Sequence, residues 1–363
     1  MLRRTVGQVL LAGFPGPVIP QELRSLAREF GLGGVVLFKR NVEEPAQVAE
    51  LAYAARTLLP ASPAWVGIDQ EGGRVARLRA PFTEWPPMAA LGRAEPGEAE
   101  SLARRFAVAL AAELTAVGVS LDFAPVLDIA ATPGNPAIGD RAVSTDPARV
   151  ATLGRVIIEE LQRARIAACG KHFPGHGETT VDPHHGLPVV EYPPDRLREK
   201  EFVPFRAAID ADVAGIMTAH VLVPALDERV PATLSRPIVT GLLRQELHYD
   251  GIVFTDDLDM KGVSAQFTMG EIAVRALEAG CDGLLSCGTS VDRHAEALEA
   301  VIRAVEQERL PLSRVEEAIA RHARAKAHYL AGEAPRPLDA RALGNVVGRL
   351  EHQAAALDLR RFA

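Results

Sequence analysis

Apolar residues in this chain gather in short runs, and each run is followed by a longer stretch in which they return every three or four positions. Eight runs stand out: VGQVLLAGF (6–14), LGGVVLF (32–38), PAWVGID (63–69), VSLDFAPVLDI (119–129), IAACGKHF (166–173), VAGIMTAHV (213–221), GIVFTDDL (251–258) and CDGLLSC (281–287). They are rich in Val, Ile, Leu and Gly and do not alternate with polar residues, the pattern of strands covered on both faces. Helical periodicity fills the gaps. PQELRSLAREFGL (20–32) puts Leu23, Leu26 and Phe30 on one stripe, and 44–59, 98–118, 148–164, 235–247 and 271–280 repeat the pattern. Several of these stretches close on Gly, a helix-stop signal. Eight strand–helix alternations predict an α/β fold of the (β/α)₈ TIM-barrel type. The structural alternative is a doubly wound open sheet, but no G-x-G-x-x-G follows the first run.

After residue 289 the pattern predicts helices over 291–309 and 312–330. A Pro/Gly-containing link, AGEAPRPLD, then leads to an amphipathic segment over 347–361. The expected division is a catalytic barrel over 1–335 and a helical extension over 336–363 packed on it, with no second sandwich domain.

Composition narrows the function classes. The 363 residues are 48% hydrophobic and 24% charged, an ordinary globular mixture. A net charge of −7 argues against nucleic acid or an anionic membrane as partner. Three cysteines, Cys169, Cys281 and Cys287, give neither a disulfide framework nor zinc-finger spacing. The N-terminal MLRRTVGQVLLAGFPG is too short in its apolar part for a signal peptide and reads as a first buried strand. No stretch reaches the roughly 20 apolar residues of a membrane span. The expected location is the cytoplasm; the oligomeric state is open.

Polar residues cluster at the ends of the apolar runs, where a barrel exposes catalytic groups. Asp69, Glu71 and Arg74 follow the third run. Asp122 and Asp128 sit in the fourth, Lys171 and His172 end the fifth, His220 the sixth, and Asp256, Asp257 and Asp259 the seventh. One such Asp could be a helix cap; polar groups at one end of five successive strands are harder to explain that way. KHFPGHGETTVDPHHGLP (171–188) carries four of the ten histidines. A metal site, a proton-transfer loop and a solvated loop compete for it. His172 and His176 have i, i+4 spacing, but Pro174 and Gly175 forbid the helix that would align them on a metal. The proton-transfer reading pairs Asp182 with His184, two positions apart and on one side of an extended segment. Asp256, at the end of a rigid apolar strand, is the candidate nucleophile opposite.

KHFPGHG followed by T-x-x-D-x-H-x-x-x-P resembles the signature of glycoside hydrolase family 3, specifically its single-domain β-N-acetylglucosaminidases. GGVVLFKRN (33–41), GIDQEGGRVARL (67–78), DFAPVLDI (122–129), IGDRAVSTDP (138–147), MTAHVLVPALD (217–227), PATLS (231–235) and GIVFTDDLDM (251–260) extend the likeness over nearly the whole chain. The resemblance implies retaining hydrolysis of a terminal β-linked GlcNAc, such as that of cell-wall muropeptides, without cofactor or metal. It makes Asp256 the nucleophile and His184, backed by Asp182, the acid/base. It assigns sugar contacts to Asp69, Arg141, Lys171 and His172, with Arg77 as a further candidate. Relatives carry Ser between the Asp and His of the dyad; this chain has Pro183. Glu71 and Arg74 are expected to pair as a loop brace, Asp257 and Asp259 to cap a helix, and His176 to donate within its own turn. Asp128 and His220 are expected as supporting groups or core polar pairs. The alternatives are a phosphorylase or β-glucosidase of the same family and, from another class, a metal-dependent amidohydrolase.

Overall fold

The computed structural model describes residues 2–59, 62–130, 135–177, 179 and 186–363. Eight parallel strands close a barrel: β1 (Leu10–Ala12), β2 (Gly34–Leu37), β3 (Trp65–Ile68), β4 (Leu121–Asp122), β5 (Ala167–Phe173), β6 (Gly215–Thr218), β7 (Ile252–Asp257) and β8 (Gly283–Ser286). Each strand pairs with its neighbours in sequence, and β8 closes on β1 through Leu10↔Leu284 and Leu11↔Leu285. All eight apolar runs therefore hold a barrel strand, as their two-sided apolar pattern requires. The first run yields less strand than its length suggests. Its opening residues form a short helix, Leu2–Val6, and a 3₁₀ turn, Gly7–Val9.

The helices that wrap the barrel include α1 (Gln21–Phe30), α2 (Pro45–Arg56), α3 (Pro96–Ala116), α4 (Pro147–Arg163), α5 (Phe202–Asp210), α6 (Met269–Ala279), α7 (Val291–Glu306), α8 (Leu312–Tyr329) and α9 (Leu350–Arg360). Asp146 caps α4 by accepting from the Ala148 N–H. Thr268 and Glu271 form a capping box at the start of α6. Gly31 and Gly280 end α1 and α6 at φ +74° and +117°, which only glycine adopts without strain. The segment between β5 and β6 has no counterpart in the periodicity reading. There Pro194–Arg196 leads through a π-helical turn, Leu197–Glu201, into α5. The charged π-helical turn puts Leu197 five positions before Phe202, so the apolar spacing slips out of the 3.6-residue period there. The stretch predicted helical over 235–247 is π-helical at Pro237–Glu246.

Large side chains fill the barrel. Leu11, Val36, Trp65, Phe123, Met217, Phe254 and Leu285 belong to one buried cluster. Phe123 and Phe254 meet edge-on with ring centroids 5.8 Å apart. Phe254 needs the glycines of the neighbouring strands: a Cβ on Gly283 would lie 2.4 Å from its ring, and one on Gly215 2.9 Å. Helix α8 closes the N-terminal base. Its His322 accepts from Trp65 Nε1 (3.2 Å) and meets the Asp282 carbonyl through Nε2 (3.1 Å), which fixes the proton on Nε2. Helix α9 lies against α3, where buried Glu113 accepts from Thr83, the Gly348 N–H and His352 Nδ1. Among the described residues no helix is long and apolar enough to cross a membrane.

Candidate active site

The C-terminal ends of β2 to β8 surround a cavity of about 270 Å³. That is near the lower end of the size range of small-ligand pockets, suited to one sugar ring rather than a long chain. Its floor is apolar, with Val36, Phe123, Met217 and Leu285; its wall is charged.

Strand β5 supplies the centre of that wall. Its buried Lys171 donates to Asp69 Oδ1 at 2.8 Å and lies 2.6 Å from Glu71 Oε1. Burial alone would strip the proton from this amine, but the two carboxylates hold its pKa above the ordinary lysine value. Asp69 also accepts from Arg77 Nη2 at 2.9 Å. Burial opposes its charge, yet Lys171 and Arg77 keep it well below the usual carboxylate range. Glu71 receives a two-pronged contact from Arg141, through Nε and Nη2, each at 2.8 Å. Against the cost of burial, Arg141 and Lys171 hold Glu71 at about 2. The five groups form one ionised, hydrogen-bonded net over residues spaced as far apart as 69 and 171.

His172 follows Lys171 across a cis peptide bond. Its Nδ1 lies 2.6 Å from Asp128 Oδ2, and its Nε2 lies 3.4 Å from Arg141 Nη2. Asp128 also takes the backbone N–H groups of His172 and His176. One buried carboxylate thus orients the imidazole that lines the cavity and pins the turn that follows it; it resists burial because His172 and those N–H groups favour its charge.

Strand β7 brings in the aspartates. Asp256 lines the cavity, and its Oδ1 accepts the Asp257 N–H at 2.8 Å. Asp257 and Asp259 were expected to cap a helix; they do not. Asp257 Oδ1 takes the N–H groups of Cys287 and Asp259, while Asp259 pairs with Arg293 and takes the Gly288 N–H. Both tie the end of β7 to the loop after β8. Burial, with the charges of Asp259 and Asp256, pushes Asp257 up to about 6.

Other expectations are redrawn by the geometry. Arg74 does not brace Glu71: it binds the carbonyls of Pro136, Ala137 and Ile138 and pairs with Asp140 at 3.4 Å. Glu71, read as a local partner, is instead the hub between Arg141 and Lys171. His176 Nδ1 meets Thr179 Oγ1 of the same turn at 2.7 Å, its Nε2 has no partner among the described residues, and burial lowers its pKa to about 4. His220 bonds Thr233 and the Asp257 carbonyl, supporting β7 from behind. Asp122 accepts the Gln70 N–H, and burial raises its pKa well above the carboxylate range. Asp69, Arg77, Arg141, Lys171, His172 and Asp256 are brought together around one cavity. Asp182 and His184 lie outside the described residues.

The chain is similar to known proteins. A β-hexosaminidase of Thiobacillus denitrificans is 42% identical over 274 residues, 75% of this chain and 74% of that protein. One from Nitrosomonas eutropha is 39% identical over 82% of this chain and 86% of its own length. A glycoside hydrolase family 3 β-N-acetylglucosaminidase from Paenibacillus superposes over the whole chain and 68% of its own, with a TM-score of 0.94 at 40% identity. NagZ from Neisseria gonorrhoeae, solved with N-trifluoroacetyl-D-glucosamine, covers 98% of both chains with a TM-score of 0.79 at 29% identity. The model of the glycosyl hydrolase family 3 N-terminal domain matches residues 1–325, and the chain, a glycoside hydrolase built on a (β/α)₈ barrel, belongs to that family.

Proposed function

We propose that the protein is a retaining exo-β-N-acetylglucosaminidase. One observation carries the reading: Asp256 and the Asp69–Lys171–Glu71–Arg141 net face the same small cavity. A net whose carboxylates stay ionised and whose cations stay charged offers fixed acceptors and donors to the hydroxyls of a terminal sugar. Fixed dipoles and charges of this kind need no rearrangement when the sugar bond breaks. Asp256, on the end of a barrel strand, attacks the anomeric carbon. Protonated His184, oriented by Asp182, gives its proton to the leaving oxygen. A glycosyl ester on Asp256 results, and neutral His184 then activates the water that releases the sugar. An imidazole in this role adds no second negative charge beside the nucleophile. The names of the relatives support GlcNAc as the sugar, and the family resemblance supports a cytoplasmic cell-wall fragment as its source.

The test is release of nitrophenol from an aryl β-N-acetylglucosaminide. Asp256→Asn is expected to lose at least about a thousandfold in kcat. A variant close to wild type removes Asp256 as nucleophile. His184→Ala is expected to slow substrates with poor leaving groups far more than aryl glycosides; equal losses remove it as acid/base. Phosphate-dependent release of sugar-1-phosphate by the wild type would instead establish a phosphorylase, and preference for plain glucosides a β-glucosidase.

A further inference from the structure

At the opposite end of the barrel, a groove of about 1080 Å³ runs between the N-terminal segment, the residues Thr57, Leu58, Leu59 and Ser62 that follow α2, and helix α8. Two buried lysines show why it matters. Lys171, in the active site, sits against two carboxylates. Lys326, also buried and lining the groove, has none among the described residues. Its Nζ donates to the Gly33 carbonyl at 2.9 Å and to Gln8 Oε1 at 3.4 Å, two neutral acceptors for three N–H donors. Burying an ammonium without a counter-ion is costly. Burial lowers its proton affinity to about 7, and no carboxylate among the described residues pairs with it to offset that.

The surroundings say what would complete the site. The floor beside Lys326 is polar: Gln8 Oε1 also accepts from Ser62 Oγ at 2.8 Å, and both residues line the groove. The walls are largely apolar, with Leu58, Leu59 and Ile319. Arg4 and Arg28 stand among the described lining residues, which include no Asp or Glu. In a chain of net charge −7, a groove with three cationic side chains and no acid is complementary to an anion. Apolar walls beside one ammonium fit a single anionic head on a hydrocarbon body rather than a sugar or a polyphosphate.

We propose that this basal groove binds small amphipathic carboxylates, whose head pairs with Lys326 and whose tail lies on Leu58, Leu59 and Ile319. The site is separate from the catalytic cavity and does not depend on the sugar chemistry proposed above.

Calorimetric titration of the full chain with octanoate tests it, with octanol as a neutral probe of equal length. Saturable octanoate binding is expected, with octanol about tenfold weaker or more, as one charge-assisted contact allows. Lys326→Met keeps the length of the side chain and removes the charge. It is expected to lose about tenfold in octanoate affinity and none in octanol affinity. Retained glycosidase turnover and an unchanged circular dichroism spectrum would show that the variant is folded. If it does not fold, Arg4→Ala/Arg28→Ala on the rim decides, with a several-fold loss expected at low salt. Absence of saturable binding, equal affinity for octanoate and octanol, or unaltered octanoate affinity in the deciding variant overturns the proposal.

Discussion

Lys171 is held between Asp69 and Glu71, so its removal strands negative charge in a buried wall. Lys171→Met should destabilise the fold by about 3 kcal/mol at pH 7, the usual cost of breaking a buried pair from one side. The pH dependence gives a sharper check. In the wild type, Glu71 has a folded pKa of about 2, below its unfolded value of 4.5. Its contribution is therefore complete above pH 4.5 and is lost as the pH falls toward 2. Without Lys171 the two carboxylates lose their shared cation and move upward. The variant should then recover stability relative to wild type as the pH falls from 7 to 5, measured by urea unfolding at both values. A stability gap that is constant across that range would refute the charge argument. Asp69, Glu71 and Lys171 were legible in the sequence as polar residues gathered at the ends of apolar runs on one rim, whereas Arg141 entered only through the family resemblance. The role of Glu71 was not. Its neighbour Arg74 is three positions away, while its real partners, Arg141 and Lys171, are 70 and 100 positions further on, and only barrel closure brings them in.

Strands were more legible than helices for a reason visible in β6, β7 and β8. A strand buried on both faces shows an unbroken apolar run, whatever lies between it and the next one. The glycines within those runs were legible as strand composition but not as packing. Gly283 and Gly215 flank the Phe254 ring, leaving no room for a methyl group. Gly283→Ala should cost about 1–3 kcal/mol by overpacking, with the Phe254 ring forced against Phe123 or His322. Gly97, which meets nothing within 4 Å, is the control: its Ala variant should be neutral or slightly stabilising. Thermal melts of the two variants check this, and equal melting temperatures would contradict it. The segment 194–210 shows the converse. A charged π-helical turn shifts the apolar spacing between Leu197 and Phe202, leaving only the short stripe of Phe202, Phe205 and Ala208 to mark the helix.

Across the whole molecule, the two ends of the barrel treat charge differently. The catalytic end gathers cations and carboxylates into one compensated net, while the base buries Lys326 against neutral carbonyl oxygens. That asymmetry gives Lys326 a distinct signature in stability. Its folded pKa, about 7, lies below the ordinary 10.5, so above pH 7 the unfolded chain holds a proton that the folded one has released. Stability carried by this group therefore rises with pH from 7 upward, by about 1.4 kcal/mol per pH unit at most. Cysteine thiols, all three raised by burial, begin to act in the opposite direction only near their ordinary value of 9. The window from pH 7 to 8.5 thus isolates the lysine. Lys326→Met, which has no proton to release, should be more stable than wild type at pH 7. The advantage should shrink by about 2 kcal/mol by pH 8.5 in guanidinium unfolding at constant ionic strength. A difference independent of pH would mean that Lys326 stays protonated in the folded state. A counter-ion would then have to neutralise it within the basal groove.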